Sequence, residues 1–380
     1  MKQPEYELKL KSMTENGSKI YKFASADGIP NKNSFREEEL ALADHVETSE
    51  DDEILVVQSG YGFLGAIFAD KSSEGHTVIA DTSDRAYQLS KMNLRKNSIE
   101  NASCRKVAYY SKINKFFDKI IYAPHSYEPV KVVKNRISHL IEILELQGQL
   151  YIAGERRQGI NRYKSYLNSL QGENRKITQD GKQRVYQYTK TEEYTPENLD
   201  IETSFEAEVN GVKLRFNACE GLFSPHSLDR GSRLLLENLE LDEDKYVLDL
   251  ACGYGIIGTF IKELYGADIA LTDDNSLATH YAENNLETTG IDKYKLVNKD
   301  CLDGVKDDKF DAIVSNPPTH QGKGITDEMF EESYNALRAG GHLYIVYNKN
   351  MKFEEQISEL FSHTEIMDEK DNFYVLKAIK

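Results

Sequence analysis

Only four cysteines occur in the 380 residues, Cys104, Cys219, Cys252 and Cys301. They lie too far apart for a disulfide framework or a zinc knuckle, which points to a reducing, cytoplasmic setting and to no structural metal. Prolines number 8 and glycines 24, against 39% hydrophobic and 29% charged residues, and that balance excludes a fibrous or disordered chain. No stretch approaches the about 18 apolar residues a membrane helix needs. The best short runs are Ile54–Val57 and Phe63–Ala69, and mean hydropathy is −0.58, so no membrane association is expected. Met1–Leu10 alternates charged with apolar residues, so no secretory leader is expected there. Positive charge is also in deficit: 47 Lys and Arg against 63 Asp and Glu give a net charge of −16, which at face value argues against a nucleic-acid partner.

The distribution of charge reverses that inference. Residues 1–84 sum to −9, residues 85–190 to +13 and residues 191–380 to −20. Within the basic block, Arg156, Arg157, Arg162, Lys164, Arg175, Lys176, Lys182 and Arg184 alternate with Tyr151, Tyr163, Tyr166, Tyr186 and Tyr188. Basic residues contact phosphates and tyrosines can stack on bases, so this block is expected to bind a polyanion. The competing interpretation is a solvated basic face that balances an acidic partner domain.

An internal repeat runs through the chain at an offset of about 193 residues. Ile54-Leu-Val-Val-Gln-Ser-Gly-Tyr-Gly-Phe-Leu-Gly65 matches Val247-Leu-Asp-Leu-Ala-Cys-Gly-Tyr-Gly-Ile-Ile-Gly258. Four further blocks follow suit: Val78–Asp81 with Ala270–Asp273, Asn93-Leu94 with Asn285-Leu286, Phe117–Pro124 with Phe310–Pro317, and Gly148–Ile152 with Gly341–Ile345. The leading segments Glu15–Ile20 and Val209–Leu214 also correspond, and their Asn16-Gly17 and Asn210-Gly211 pairs read as type I′ hairpin turns. The polar stretch Thr189–Asp200, with Pro196 and no apolar period, separates two similar domains, 1–190 and 195–380. In the second, strands at Tyr246–Leu250, Asp268–Thr272, Ala312–Ser315 and His342–Val346 alternate with helix-length segments. This predicts an open α/β fold, a mostly parallel sheet with helices on both faces. A helix at Lys352–Phe361 and a closing strand Phe373–Ile379, antiparallel to the rest, complete the pattern.

Two motifs of the second copy carry chemistry. Strand Tyr246–Asp249 runs into Ala251-Cys252-Gly253-Tyr254-Gly255-Ile256-Ile257-Gly258, where glycines permit a tight turn and close approach of a ligand to the following helix N-terminus. Gly-x-Gly-x-x-Gly alone is shared by nicotinamide and flavin folds, but Asp249 precedes it and Asp273-Asp274 ends the next strand about 20 residues on, placed for ribose hydroxyls. The second motif is Ser315-Asn316-Pro317-Pro318-Thr319-His320, after the apolar strand Phe310–Val314. Two prolines hold the Asn316 side chain and the adjacent carbonyl outward as acceptors. Together they can grip a planar exocyclic amine and aim its nitrogen at an electrophile.

Asp-x-x-Cys-Gly-x-Gly followed by Asn-Pro-Pro resembles the amino-methylating class I S-adenosylmethionine-dependent methyltransferases. With the duplication and Gly221-Leu-Phe-Ser224…Asp229-Arg-Gly-Ser-Arg-Leu-Leu-Leu236, the chain is similar to the RsmC/RlmG family of ribosomal RNA guanine-N2 methyltransferases. That resemblance implies two tandem Rossmann-like class I methyltransferase domains, the first degenerate and assisting RNA binding, the second catalytic. It implies a cofactor, S-adenosylmethionine, held by Asp249, Cys252, Gly253, Gly255, Asp273, Asp274, Asp300, Cys301 and Asn316, with Asp229 and Ser232 closing the pocket. Asn316, Pro317 and Pro318 would be catalytic. The partner implied is ribosomal RNA or a ribosomal subunit, bound by Arg156, Arg157, Arg162 and Lys164, and a monomer is expected because the duplication mimics a dimer. In the first copy Asn-Pro-Pro has become Ala123-Pro124-His125, Asp249 faces Val56 or Val57, and Gly231-Ser232 faces Glu38-Glu39. One departure concerns the base: where family members commonly have an aromatic after Asn-Pro-Pro, this chain has Thr319 and His320, so His320 or Phe223 would supply the stacking face. Adenine N6, cytosine N4 or a protein glutamine remain alternative acceptors, as do a non-catalytic cofactor- or RNA-binding protein and a nicotinamide oxidoreductase.

Overall fold

The computed structural model describes residues 6–14, 17–318 and 323–380. Contacts divide the chain into two units that part between Ile201 and Glu202.

The first unit opens with a hairpin, β1 (Tyr6–Thr14) and β2 (Gly17–Ser25), followed by α1 (Glu37–His45). Its sheet is built from β3 (Glu53–Val57), β4 (His76–Asp81), β5 (Ala102–Lys106), β6 (Phe117–Tyr122), β7 (Leu144–Glu155), β8 (Glu173–Asp180) and β9 (Gln183–Thr189). The intervening helices are α2 (Phe63–Lys71), α3 (Asp84–Lys96), α4 (Val130–Glu142) and α5 (Ile160–Leu167). Strand order is β5-β4-β3-β6-β7-β9-β8, parallel except for the last two strands.

The second unit repeats this plan. A hairpin of β10 (Glu202–Val209) and β11 (Val212–Cys219) precedes α6 (Arg230–Glu237). The sheet comprises β12 (Tyr246–Leu250), β13 (Asp268–Asp273), β14 (Tyr294–Asn298), β15 (Phe310–Ser315), β16 (Leu337–Asn348), β17 (His363–Lys370) and β18 (Phe373–Ile379), in the order β14-β13-β12-β15-β16-β18-β17. Helices α7 (Ile256–Tyr265), α8 (Ser276–Thr289), α9 (Lys323–Ala336) and α10 (Phe353–Leu360) connect the strands. The central strands are buried on both faces, as parallel sheets flanked by helices must be, which is why they read as continuous apolar runs. Order and orientation match in the two sheets, so each copy is Rossmann-like and mostly parallel, as the sequence predicts.

The repeat extends to single hydrogen bonds. Asn285 donates to the carbonyls of Asn217 and Tyr254 and accepts from the Asn217 amide. Asn93 makes the same three bonds with Ala24 and Tyr61. The turn Asn210-Gly211 has φ of 48° and 84°, the positive pair a type I′ hairpin requires. Its counterpart residue Asn16 lies outside the described residues.

Two sequence expectations need correction. The segment after α10 holds two strands rather than one, because β17 is an exposed edge strand whose charges conceal its period. The tyrosines interleaved in the basic block are core residues: Tyr151, Tyr163, Tyr166, Tyr186 and Tyr188 are all buried. Their spacing follows the inward face of β7, α5 and β9, so they cannot stack on a base.

Candidate active site

A cavity of about 620 Å³ opens at the carboxyl ends of β12, β13, β14 and β15, the edge where open α/β sheets bind ligands. Its walls bring together Phe223, Asp229, Ser232, Cys252, Gly253, Asp273, Asp274, Asp300, Cys301, Asn316, Pro317 and Pro318. Thr319 and His320 lie outside the described residues.

The floor is the glycine loop. Ala251 and Gly253 both take positive φ, 60° and 57°, and a Cβ built on Gly253 would meet nothing within 4 Å, so this glycine leaves its space to the cavity. Gly255 serves another purpose: its φ is 82° and a Cβ there would press on Ala282 of α8 at 3.1 Å, so it lets the loop pack against that helix. Asp273 secures the loop from β13. One carboxylate oxygen accepts from the Gly253 amide at 2.8 Å and the other from the Asn275 amide at 2.8 Å, and each retains a lone pair.

Asp249 sits beneath the loop. Its Oδ2 accepts from the Gly258 amide at 2.7 Å, while its buried Oδ1 has no hydrogen-bond partner. Burial pushes its carboxyl up to about 7, the Gly258 N–H opposes that shift, and the nearby Asp273 charge adds to it. An orphaned buried carboxylate oxygen under an open glycine loop fits a cationic ligand. It suits the aminosulfonium cofactor that the sequence resemblance implies.

The roof is the Asn-Pro-Pro turn. The Asn316 amide nitrogen donates to Asp229 Oδ2 at 3.1 Å and to Ser232 Oγ at 2.9 Å. Asp229 is the N-cap of α6 and accepts from the Ser232 amide at 3.1 Å, so helix start and side-chain clamp are one structure. With both N–H bonds engaged, the Asn316 carbonyl oxygen is the atom left to act as an acceptor. Ser315 Oγ ties the end of β15 to the Leu250 carbonyl of β12 at 2.7 Å, which fixes the turn over the glycine loop. Phe223 stands at the rim with 67% of its surface exposed, on a loop held by the Tyr254 hydroxyl donating to the Ser224 carbonyl at 3.0 Å.

Sequence reasoning missed the wall opposite, made by Tyr347 and Asn348 at the end of β16, Met351, Met329 of α9 and Phe373 at the start of β18. The usable signal was the repeat block Gly341–Ile345, which marks a strand whose carboxyl end must join the same edge. Arg156, Arg157, Arg162 and Lys164 belong to the first unit, exposed on the turn after β7 and on α5. Among the described residues, none of the four has a carboxylate ion-pair partner.

The first copy shows what became of the same place. Arg36 stands where Asp229 stands in the second copy and donates to the carbonyls of Ala123 and Pro124 at 3.1 and 3.0 Å, the counterparts of Asn316 and Pro317. It also pairs with Glu38 at 2.6 Å and Glu39 at 3.7 Å.

Comparison with known proteins bears on the family and the fold. Residues 21–187 and 213–377 each match the methyltransferase small domain family. A ribosomal RNA large subunit methyltransferase G of Pseudoalteromonas translucida is 25% identical over 337 residues, 86% of either chain. The protein of that name from Aeromonas hydrophila is 31% identical over 180 residues, and the chain spans only 47% of its length. The solved structure of a T. thermophilus 16S rRNA guanine-N2 methyltransferase (RsmC), in complex with AdoMet and guanosine, shares the fold: TM-score 0.82 over 98% of both chains at 22% identity. The chain belongs to the methyltransferase small domain family and carries that domain twice.

Proposed function

We propose that the chain methylates the exocyclic N2 of a guanine in ribosomal RNA, with catalysis in the second copy and RNA docking in the first. The observation that carries this reading is the Asn316 amide, clamped through its nitrogen by Asp229 and Ser232 so that its oxygen is the acceptor offered at the Asn-Pro-Pro turn. An acceptor side chain on a proline-stiffened turn suits a planar amine and has no role in hydride transfer. The names of the relatives supply the choice of ribosomal RNA and of guanine.

Asp273, Asp274, Asp300 and Cys301 would hold the nucleoside part of the cofactor, and Cys252, Gly253 and Asp249 its amino acid part. Once bound, S-adenosylmethionine supplies an electrophilic methyl group. The chain's own residues then orient and stabilise. The Asn316 oxygen and a turn carbonyl accept the two amine hydrogens, aim the nitrogen lone pair and stabilise the positive charge that develops on it. The methylated nitrogen is acidic enough to lose its proton to water, so no strong base is required. Among the described residues lining the cavity, Phe223 at its rim is the strongly exposed aromatic offered to stack on the base, and the target base must be extruded from any helix to reach the turn.

The decisive assay is labelled methyl transfer to protein-free ribosomal RNA, assembled subunits, transfer RNA and DNA, followed by nucleoside digestion. Label in N2-methylguanosine from a ribosomal species supports the reading; label in N6-methyladenosine or in no nucleic acid sinks it.

Two further expectations follow from charge. A carboxyl whose folded pKa is raised gives stability that is complete below its unfolded pKa and is lost as pH rises through the folded value. The apo second unit should therefore lose thermal stability between the ordinary Asp value of 3.8 and about 7. Asp249→Asn should flatten that slope in pH-resolved calorimetry and weaken cofactor binding at pH 8 by about tenfold or more. An unchanged slope would remove Asp249 from this account.

Exposed, unneutralised cations predict a salt-dependent RNA affinity. Arg156→Glu with Arg157→Glu should weaken ribosomal RNA binding by about tenfold or more at low salt and flatten its salt slope by about two. Filter binding across a salt series measures both, and a slope equal to wild type would assign these arginines to a merely solvated face.

A further inference from the structure

In the first copy the turn after β6 closes over the buried Arg36, which bonds to the carbonyls of Ala123 and Pro124. Tyr127 stands there with 71% of its surface exposed, the most exposed of the large apolar side chains among the described residues. Its ring lies parallel to that of His125, with centroids 5.1 Å apart and an interplanar angle of 7°. His125 is itself buried, so one face of the Tyr127 ring rests on a fixed support. Burial and the Arg36 cation push the His125 imidazole down to about 3, which keeps that support neutral at physiological pH.

The turn that carries these rings is held rigidly. The Glu128 amide donates to the His125 carbonyl at 3.2 Å, and the Glu128 carboxylate accepts from the His125 amide at 3.1 Å. That carboxylate is anchored in turn by Arg136 at 2.6 Å, with both side chains almost wholly enclosed. A buried ion pair is an expensive way to hold a surface turn unless the ring it presents is used.

The surroundings point to the ligand. β6 and β7 run parallel with Tyr122 opposite Ile152, so the chain beyond each strand emerges at the same edge. Tyr127 follows β6, and Arg156 and Arg157 follow β7, exposed and without a carboxylate partner among the described residues. A flat, supported aromatic ring and two unneutralised guanidinium groups that leave the sheet at one edge are the combination that holds a single-stranded nucleotide, the ring stacking on the base and the cations meeting phosphates. We propose that the turn after β6 in the first copy is a docking platform for one unpaired nucleotide of the RNA substrate, whose base stacks on the outer face of Tyr127 and whose phosphates meet Arg156 and Arg157. It rests on the RNA reading above but engages no residue of the catalytic pocket.

The test uses the full chain and single-stranded RNA oligonucleotides carrying 2-aminopurine, whose fluorescence falls when the base stacks. Tyr127→Ala should weaken binding by about tenfold and abolish the quenching. Tyr127→Phe, which keeps the ring, should stay within about twofold of wild type, and cofactor affinity should be unchanged in both. Wild-type affinity and quenching in Tyr127→Ala overturn the platform. So does equal weakening in the Ala and Phe variants with a lowered melting temperature, since that marks a structural role. Methyl transfer to ribosomal RNA is read separately. A wild-type chain that quenches the probe through Tyr127 yet methylates no RNA removes the guanine-N2 reading and leaves the platform. A chain that methylates ribosomal RNA while Tyr127→Ala behaves as wild type does the reverse.

Discussion

Asn316→Ala is expected to lower methyl transfer by about 10³-fold while leaving cofactor affinity within a few-fold of wild type. The asymmetry follows from where the side chain is spent. Its nitrogen is bound to Asp229 and Ser232, so the oxygen is the atom available to the incoming amine. An acceptor of this kind matters most as the nitrogen becomes positive, and its loss falls on kcat more than on binding. Asn316→Asp sharpens the point. It keeps shape and an acceptor oxygen but replaces the donor facing Asp229 with a second carboxylate, which sets two negative charges about 3 Å apart. We expect Asn316→Asp to be nearly as inactive as Asn316→Ala, and Asp229→Asn, which leaves the clamp without its charge, to lose about 10–100-fold. Single-turnover kinetics together with calorimetric cofactor titration separate the two quantities. Activity within tenfold of wild type in Asn316→Ala would end the proposed role.

Much of this was legible in the sequence because the duplication printed the same information twice. The glycine loop, the acid ending β13 and Asn-Pro-Pro are each local in sequence, and their chemistry depends on residue type at short spacing. The clamp was less legible. Asp229 and Ser232 could be placed near the pocket from their position before the first sheet strand, but nothing local shows that they hold Asn316, 87 and 84 residues away. The Tyr347, Asn348 and Phe373 wall belongs to the same class, since it depends on how β16 and β18 pair. The basic block misled for a related reason: alternation of Tyr and Lys or Arg is the pattern of a base-stacking surface and equally of a half-buried element with cations outside. Burial decides between them, and the only strongly exposed tyrosine among the described residues, Tyr127, lay outside the pattern.

Arg36→Ala should destabilise the first unit by about 3–5 kcal/mol, the usual result of leaving buried charges without their partner. The guanidinium bonds to Glu38 and to the carbonyls of Ala123 and Pro124, and it lies 3.7 Å from Glu39. Removing it strands two carboxylates and two carbonyl oxygens in an enclosed space. For a unit of this size the melting transition should fall by roughly 10 °C. The deficit should also depend on pH in a definite sense. Burial already pushes the Glu39 carboxyl up to about 7, with Arg36 opposing the shift. Without Arg36 the Glu39 carboxyl binds its proton more tightly in the folded state, and stability carried by a raised pKa is lost as pH rises. Arg36→Ala should therefore lie closest to wild type near pH 5 and furthest from it near pH 8. Replacing Arg36, Glu38 and Glu39 together by apolar residues of similar volume should recover most of the loss, because the cost lies in the uncompensated charge. Calorimetry of the three chains at both pH values checks all of this, and a pH-independent deficit would contradict it. The same substitution bears on how the two copies differ at this turn. In the second copy the Asn-Pro-Pro turn faces a cavity, with Asp229 and Ser232 turning the Asn316 oxygen outward. In the first copy the residue at the place of Asp229 is a cation that satisfies the turn's carbonyls from within. A guanidinium offers those carbonyls the same planar N–H donors that a guanine amine would, so the degenerate site is filled by its own side chain. Under the proposed mechanism, a turn carbonyl that would accept from the substrate amine in one copy serves stability in the other.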